Sequence, residues 1–225
     1  MPDIGNLLLG DNPLIGVDHL SRQRARERRD SLNIESGTQV VQKSLSAGAQ
    51  GFCFSTHPTS YGILANIRKQ GSVKGLKLYP LLPYAMGYVR LATEKGPVGL
   101  LRYVLGHLGW RDRISLALSG GISVARMEPL QLYKAYLNME LTSLRNVAPL
   151  DSRIEAVFMH EILTDACVAF DTIEPLLVHA DHISSKYNAM PGFVTRNLPR
   201  FVQLCKKYGM PLKDTAIMTP INAAG

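Results

Sequence analysis

Three features of this 225-residue sequence predict an α/β fold, a (β/α) barrel of the TIM type. Short apolar runs such as Phe52, Cys53 and Phe54 are too continuous for a strand with one wet face, which favours parallel strands buried on both sides. These runs alternate with segments whose apolar residues recur at helical spacing. Polar residues follow each run, as in GFCFSTHPTSYG from Gly51 to Gly62, and the carboxyl ends of parallel strands are where such folds hold ligands.

The first strand is expected in NLLLG, ending at a turn through Gly10, Asp11, Asn12 and Pro13. Asp11, Asn12 and His19 then lie near a strand end and are candidates for substrate binding; Asp11 and Asn12 equally suit a turn that they hydrogen-bond themselves. Val40, Val41 and Leu45 mark a helix that Gly48 stops, and FCF follows as the second strand. In YGILANIRKQG, Ile63, Leu64 and Ile67 have helical spacing and Gly71 is the stop. A third strand is expected in GLKLYPLLPYA, with pairing ending around Tyr79 to Tyr84 because Pro80 and Pro83 donate no N–H. Tyr84 is a further candidate for substrate contact, or a rim tyrosine over the core.

Residues 86–149 read as a helical insertion between the third and fourth strands, including GPVGLLRYVLGHLGW and, after SGGIS, a helix that opens at Glu128 and Pro129. The fourth strand is AVFM, with His160 and Glu161 at its end as candidate acid–base groups. DACVAFDTIEPLLVHA is helical. A short strand then enters a helix starting near Asn197 and Pro199, in which Phe201, Val202, Leu204 and Cys205 form the inward stripe. Ala216 to Met218 form the last strand, followed by Thr219 and Asn222. About six strands result where a closed barrel has about eight, so the barrel is expected to be incomplete at its carboxyl terminus. Open edges invite pairing with another chain or aggregation, and a homo-oligomer is one assembly they allow.

At 46% hydrophobic the chain can bury a large core, and residues 1–225 are read as one domain. Its apolar runs are broken by Gly, Pro or charge, which argues against a membrane span. The three cysteines lack metal-type or disulfide-type spacing and the first residues lack a secretory pattern, so a cytoplasmic setting is expected. A net charge of +7 and the cluster Arg22, Arg24, Arg26, Arg28 and Arg29 raise nucleic acid as a partner. The cluster has no interleaved aromatics and reads as a solvated helix face, so no nucleic-acid partner is expected. No GxGxxG or Walker spacing is present.

With the strand ends placed, FSTHPTSYG, VFMHE, GFVTRNLPRFVQLCKKYGM and MTPIN together resemble the aldo-keto reductase superfamily of (β/α)8 barrels. The resemblance aligns Tyr61 with that family's catalytic tyrosine, His160 with its catalytic histidine, and Asn197 with its cofactor-amide asparagine. It implies hydride transfer between NADP(H) and a small carbonyl or alcohol, with Tyr61 as proton donor and His160 orienting the carbonyl oxygen. Thr219 and Asn222 are then cofactor-side candidates, and His57 and Glu161 complete the catalytic set. The family's aspartate position is occupied here by Ser55 or Thr56, and Pro83 and Tyr84 stand at the third-strand end where the family has its lysine.

Two other classes suit the same residues. Asp11, His19, His57, His160 and Glu161 are of types that bind a metal ion for hydrolase, isomerase or lyase chemistry, and Lys186 could form a Schiff base. A non-catalytic, barrel-derived binding protein is the third reading.

Overall fold

A computed structural model describes residues 7–17, 33–83 and 129–220. The chain divides into two compact units, one formed by Met1–Pro83 with Val147–Gly225 and the other by Tyr84–Asn146. The first is an α/β unit whose parallel sheet curls into a half-barrel. Its elements are β1 (Leu9–Gly10), a 3-10 turn (Asn12–Ile15), α1 (Ile34–Ser46), β2 (Phe52–Ser55), α2 (Pro58–Gln70) and β3 (Lys77–Leu82). After α3 (Pro129–Val147) come β4 (Arg153–Ile154), β5 (Ala156–Met159), α4 (Glu161–Ala169), α5 (Glu174–Tyr187), β6 (Met190–Val194), α6 (Leu198–Lys207) and β7 (Ala216–Met218).

The sheet order is β1-β2-β3-β5-β6-β7, every pairing is parallel, and β4 also pairs with β3. Because β4 and β5 share one neighbour and are separated only by Glu155, the sheet has six strand positions rather than the eight of a closed TIM barrel. In the second unit α3 buries Leu137, Leu141 and Leu144, spaced to share one helix face. The expected segments GPVGLLRYVLGHLGW and SGGIS, and the arginine cluster at 22–29, lie outside the described residues.

Alternation along the strands sorts the side chains into two layers. Tyr79, Ala156, Phe158, Met190, Val194 and Ala216 form the inner cluster, with Cys53, Leu81 and Met218 packed against it. Space there is tight: a Cβ on Gly51 would come within 2.4 Å of the Tyr79 ring, and one on Gly192 within 2.5 Å of Phe158. Phe52, Phe54 and Phe193 face the helices; the Phe52 and Phe54 rings stack at 5.0 Å, and Phe193 meets Phe201 of α6. Helices α1 and α2 approach closely because Gly37 accommodates Ile63 and Gly62 accommodates Ile34.

Strand β3 runs through Pro80 and ends at Leu82, inside the stretch from Tyr79 to Tyr84 where pairing is expected to end. The carbonyls of Leu76, Leu78 and Leu82 accept from Arg153, Glu155 and His160, so Pro80 also faces this neighbour by alternation. The pairing moves from Leu78 with Ile154 to Leu81 with Phe158, which inserts one extra residue opposite Tyr79 and Pro80. This local bulge at Glu155 absorbs the missing N–H and splits the fourth strand position into β4 and β5. Helix α2, in turn, begins at Pro58 rather than near Tyr61, because proline suits a first turn and His57 caps it.

Candidate functional site

The carboxyl ends of the strands collect most of the polar residues that the sequence singles out. Asp11 follows β1 and is 6% exposed. Its Oδ2 accepts from the Ser55 N–H at 2.9 Å, the Ser55 hydroxyl at 2.8 Å and the Ser60 hydroxyl at 2.9 Å. One carboxylate oxygen thus ties the end of β2 to the first turn of α2. Burial raises the Asp11 pKa, and the hydrogen bonds from Ser55 and Ser60 oppose that rise. On the inner face Cys53 is pushed up to about 12, by burial first and the Asp11 charge second, so its thiol is unreactive at neutral pH. Thr56, 8% exposed, has a buried hydroxyl without a hydrogen-bond partner among the described residues.

His57 and His160 occupy equivalent turns. Each is the extended residue before a helix, and each accepts at Nδ1 from the N–H two residues on: Thr59 at 3.1 Å and Ile162 at 3.2 Å. A neutral ring accepting at Nδ1 carries its proton on Nε2. Burial lowers both pKa values; the Asp11 charge opposes this at His57, and Glu161 opposes it at His160 while Arg196 reinforces it. Both rings are therefore neutral donors at pH 7.

Beside His160, Glu161 Oε1 pairs with Arg196 at 2.7 Å. Asp165, one turn further along α4, accepts from the Thr195 hydroxyl at 2.6 Å and the Arg196 N–H at 3.2 Å. The Thr195 hydroxyl in turn accepts from the Asn197 N–H at 3.1 Å. Asn197 caps α6, its Oδ1 accepting from the Arg200 N–H at 3.3 Å. Sequence reading missed Asp165, Thr195 and Arg196, as it missed Ser60; the legible signal was a hydroxyl residue at or just beyond a strand end, present in both Ser55 and Thr195.

Asn12 and Thr219 also lie at the carboxyl edge, whereas Lys186 does not. Asn12 is exposed in the 3-10 turn, and Thr219 is half-buried just beyond β7. Tyr61 lies in α2 one residue after Ser60; successive helical side chains diverge by about 100°, so it does not share Ser60's direction toward Asp11. Lys186 is exposed in the last turn of α5, just before β6 begins, at the amino edge of the sheet rather than its carboxyl edge. His19, Tyr84 and Asn222 lie outside the described residues.

Among the described residues no group of three or more His, Cys, Asp or Glu side chains is arranged to hold a metal ion, and no helix is long and apolar enough to cross a membrane. No protein-family model, curated protein or solved structure matches the chain.

Proposed function

We propose that the chain is an enzyme acting on a small molecule with a carbonyl or hydroxyl oxygen, bound at the carboxyl edge of the half-barrel. His160 donates a hydrogen bond from Nε2 to that oxygen. The observation that carries this reading is the His160 turn, where a ring held through Nδ1 and kept neutral by burial presents its other nitrogen as a fixed donor. Glu161, the next residue, is the base of the pair, held by Arg196.

Aldo-keto-type reduction is the form of this chemistry that the sequence resemblance suggests, with NADPH supplying hydride. Asn197, the expected carboxamide reader, has its Oδ1 accepting in the cap of α6. The reading therefore stands on oxygen binding and acid–base chemistry by His160 and Glu161.

Titration of the folded chain with small aldehydes and ketones, followed through the His160 ring resonances and paired with an NADPH titration by nicotinamide fluorescence, tests it. Saturable shifts of the His160 ring are expected, together with shifts of the neighbouring Glu161 and Ile162 amide resonances that disappear in His160→Asn. Carbonyl compounds that leave these resonances unmoved would overturn the reading. Saturable NADPH binding with turnover would restore the hydride-transfer form.

A further inference from the structure

We infer that the turn between β2 and α2 binds a second oxygen of the ligand, so that the substrate is an uncharged hydroxy-carbonyl compound. This rests on His160 as the donor to the carbonyl oxygen.

Two buried groups of that turn have no partner among the described residues. Thr56 is 8% exposed, and its hydroxyl makes no hydrogen bond there. Ser60 is fully buried; its hydroxyl donates to Asp11 Oδ2, but its N–H meets no acceptor, because α2 begins at Pro58 and its first bond runs from the Tyr61 N–H to the His57 carbonyl. Pro58 brings no N–H, and the Thr59 N–H is taken by His57 Nδ1. Buried polar groups are almost always paired, so two orphans in one turn point to a ligand atom that answers both. A hydroxyl and an N–H together suit an acceptor oxygen.

Strand pairing sets this turn opposite His160. Ser55 is level with Leu81 of β3, and Leu81 with Phe158 of β5. The His57 N–H donates to the Ser55 carbonyl at 2.7 Å, so the chain turns at Thr56 and strand alternation ends there. Thr56 is thus level with Met159, one residue before His160, and two strand spacings set the backbones about 10 Å apart. Leu81, packed on the inner cluster, lies between them. Asp11 selects against an anion. Its carboxylate accepts from the Ser60 hydroxyl at 2.9 Å, so a carboxylate or phosphate at this turn would meet a like charge, whereas a neutral hydroxyl oxygen would not.

NMR of the isotope-labelled chain, titrated with butanone, with its terminally hydroxylated analogue and with levulinate, tests the inference. The hydroxylated ketone is expected to bind about tenfold more tightly than butanone and to shift the Thr56 and Ser60 amide resonances, while levulinate gains nothing over butanone. Thr56→Val, nearly isosteric, should bring the hydroxylated ketone down to the affinity of butanone and leave butanone unchanged; Thr56→Ser should keep the preference. Without ligand, Thr56→Val should raise the urea midpoint, since it removes a buried group that the chain does not pair. Butanone that leaves the His160 ring unmoved would overturn the His160 reading itself. Butanone binding without a gain from the hydroxyl, an unchanged preference in Thr56→Val, or a Thr56→Val chain that is less stable or fails to fold would overturn this inference alone.

Discussion

The turns after β2 and β5 use one local device in two electrostatic settings. In both, a histidine leaves the strand, caps the next helix through Nδ1 and becomes a neutral Nε2 donor. The β2 turn is closed by Asp11, a buried carboxylate that gathers Ser55 and Ser60 from both sides of His57. Among the described residues the β5 turn has no buried carboxylate of that kind; its charges are the more exposed Glu161 and Arg196. The first turn is thus a cross-strand fastening, whereas the second carries a charged pair nearer the surface.

Removing Asp11 should separate the turns most. Asp11→Ala strands two serine hydroxyls and one backbone N–H, and a loss of about 3–5 kcal/mol is expected in urea denaturation. A loss under about 1 kcal/mol would show that the β2 turn is not fastened by this carboxylate. A third histidine calibrates what burial does to an imidazole. His179 on α5 is fully buried, its Nε2 bonds the Val157 carbonyl oxygen at 3.0 Å, and burial outweighs that bond to bring its pKa to about 4. The folded pKa lies below the ordinary value near 6.5, so the unfolded chain binds the proton first as pH falls. Its contribution is present above pH 6.5 and is lost between about 6.5 and 4, a fall of about 3 kcal/mol. Denaturation across this window should show a flatter profile in His179→Gln than in the parent chain; equal slopes would place the titration elsewhere.

Smaller effects sharpen the contrast. His57→Ala and His160→Ala should each cost about 1 kcal/mol as lost caps, whereas His160→Asn keeps the cap and removes the ring donor. Carbonyl binding lost with stability retained in His160→Asn is the expected outcome; retained binding would make His160 a cap and nothing more. The least costly change is Glu161→Gln, which should alter stability by less than about 1 kcal/mol because its arginine partner is largely exposed. It should nevertheless lower the His160 pKa in an NMR titration, since the Glu161 charge opposes the lowering by burial. An unchanged His160 pKa would remove Glu161 from the site.

Much of the strand–helix order was legible because local pattern carries it. FCF reads as a buried parallel strand, and AIM runs from Ala216 to Met218 as expected. Asn197 precedes a proline-started helix whose Phe201, Leu204 and Cys205 are buried. Polar residues at strand ends were likewise visible, His57 and His160 among them. Their hydrogen-bond partners were not. Ser55 and Ser60 lie 44 and 49 residues from Asp11, and Thr195 lies 30 from Asp165, distances over which periodicity carries no information.

What the sequence determined by itself was the alternation of buried strand and amphipathic helix, because side-chain period and stop residues are local properties of the chain. Tertiary structure decided where Pro80 is tolerated and which carboxylate meets which hydroxyl. Each depends on register between strands, and a shift of one residue there re-aims every side chain beyond it.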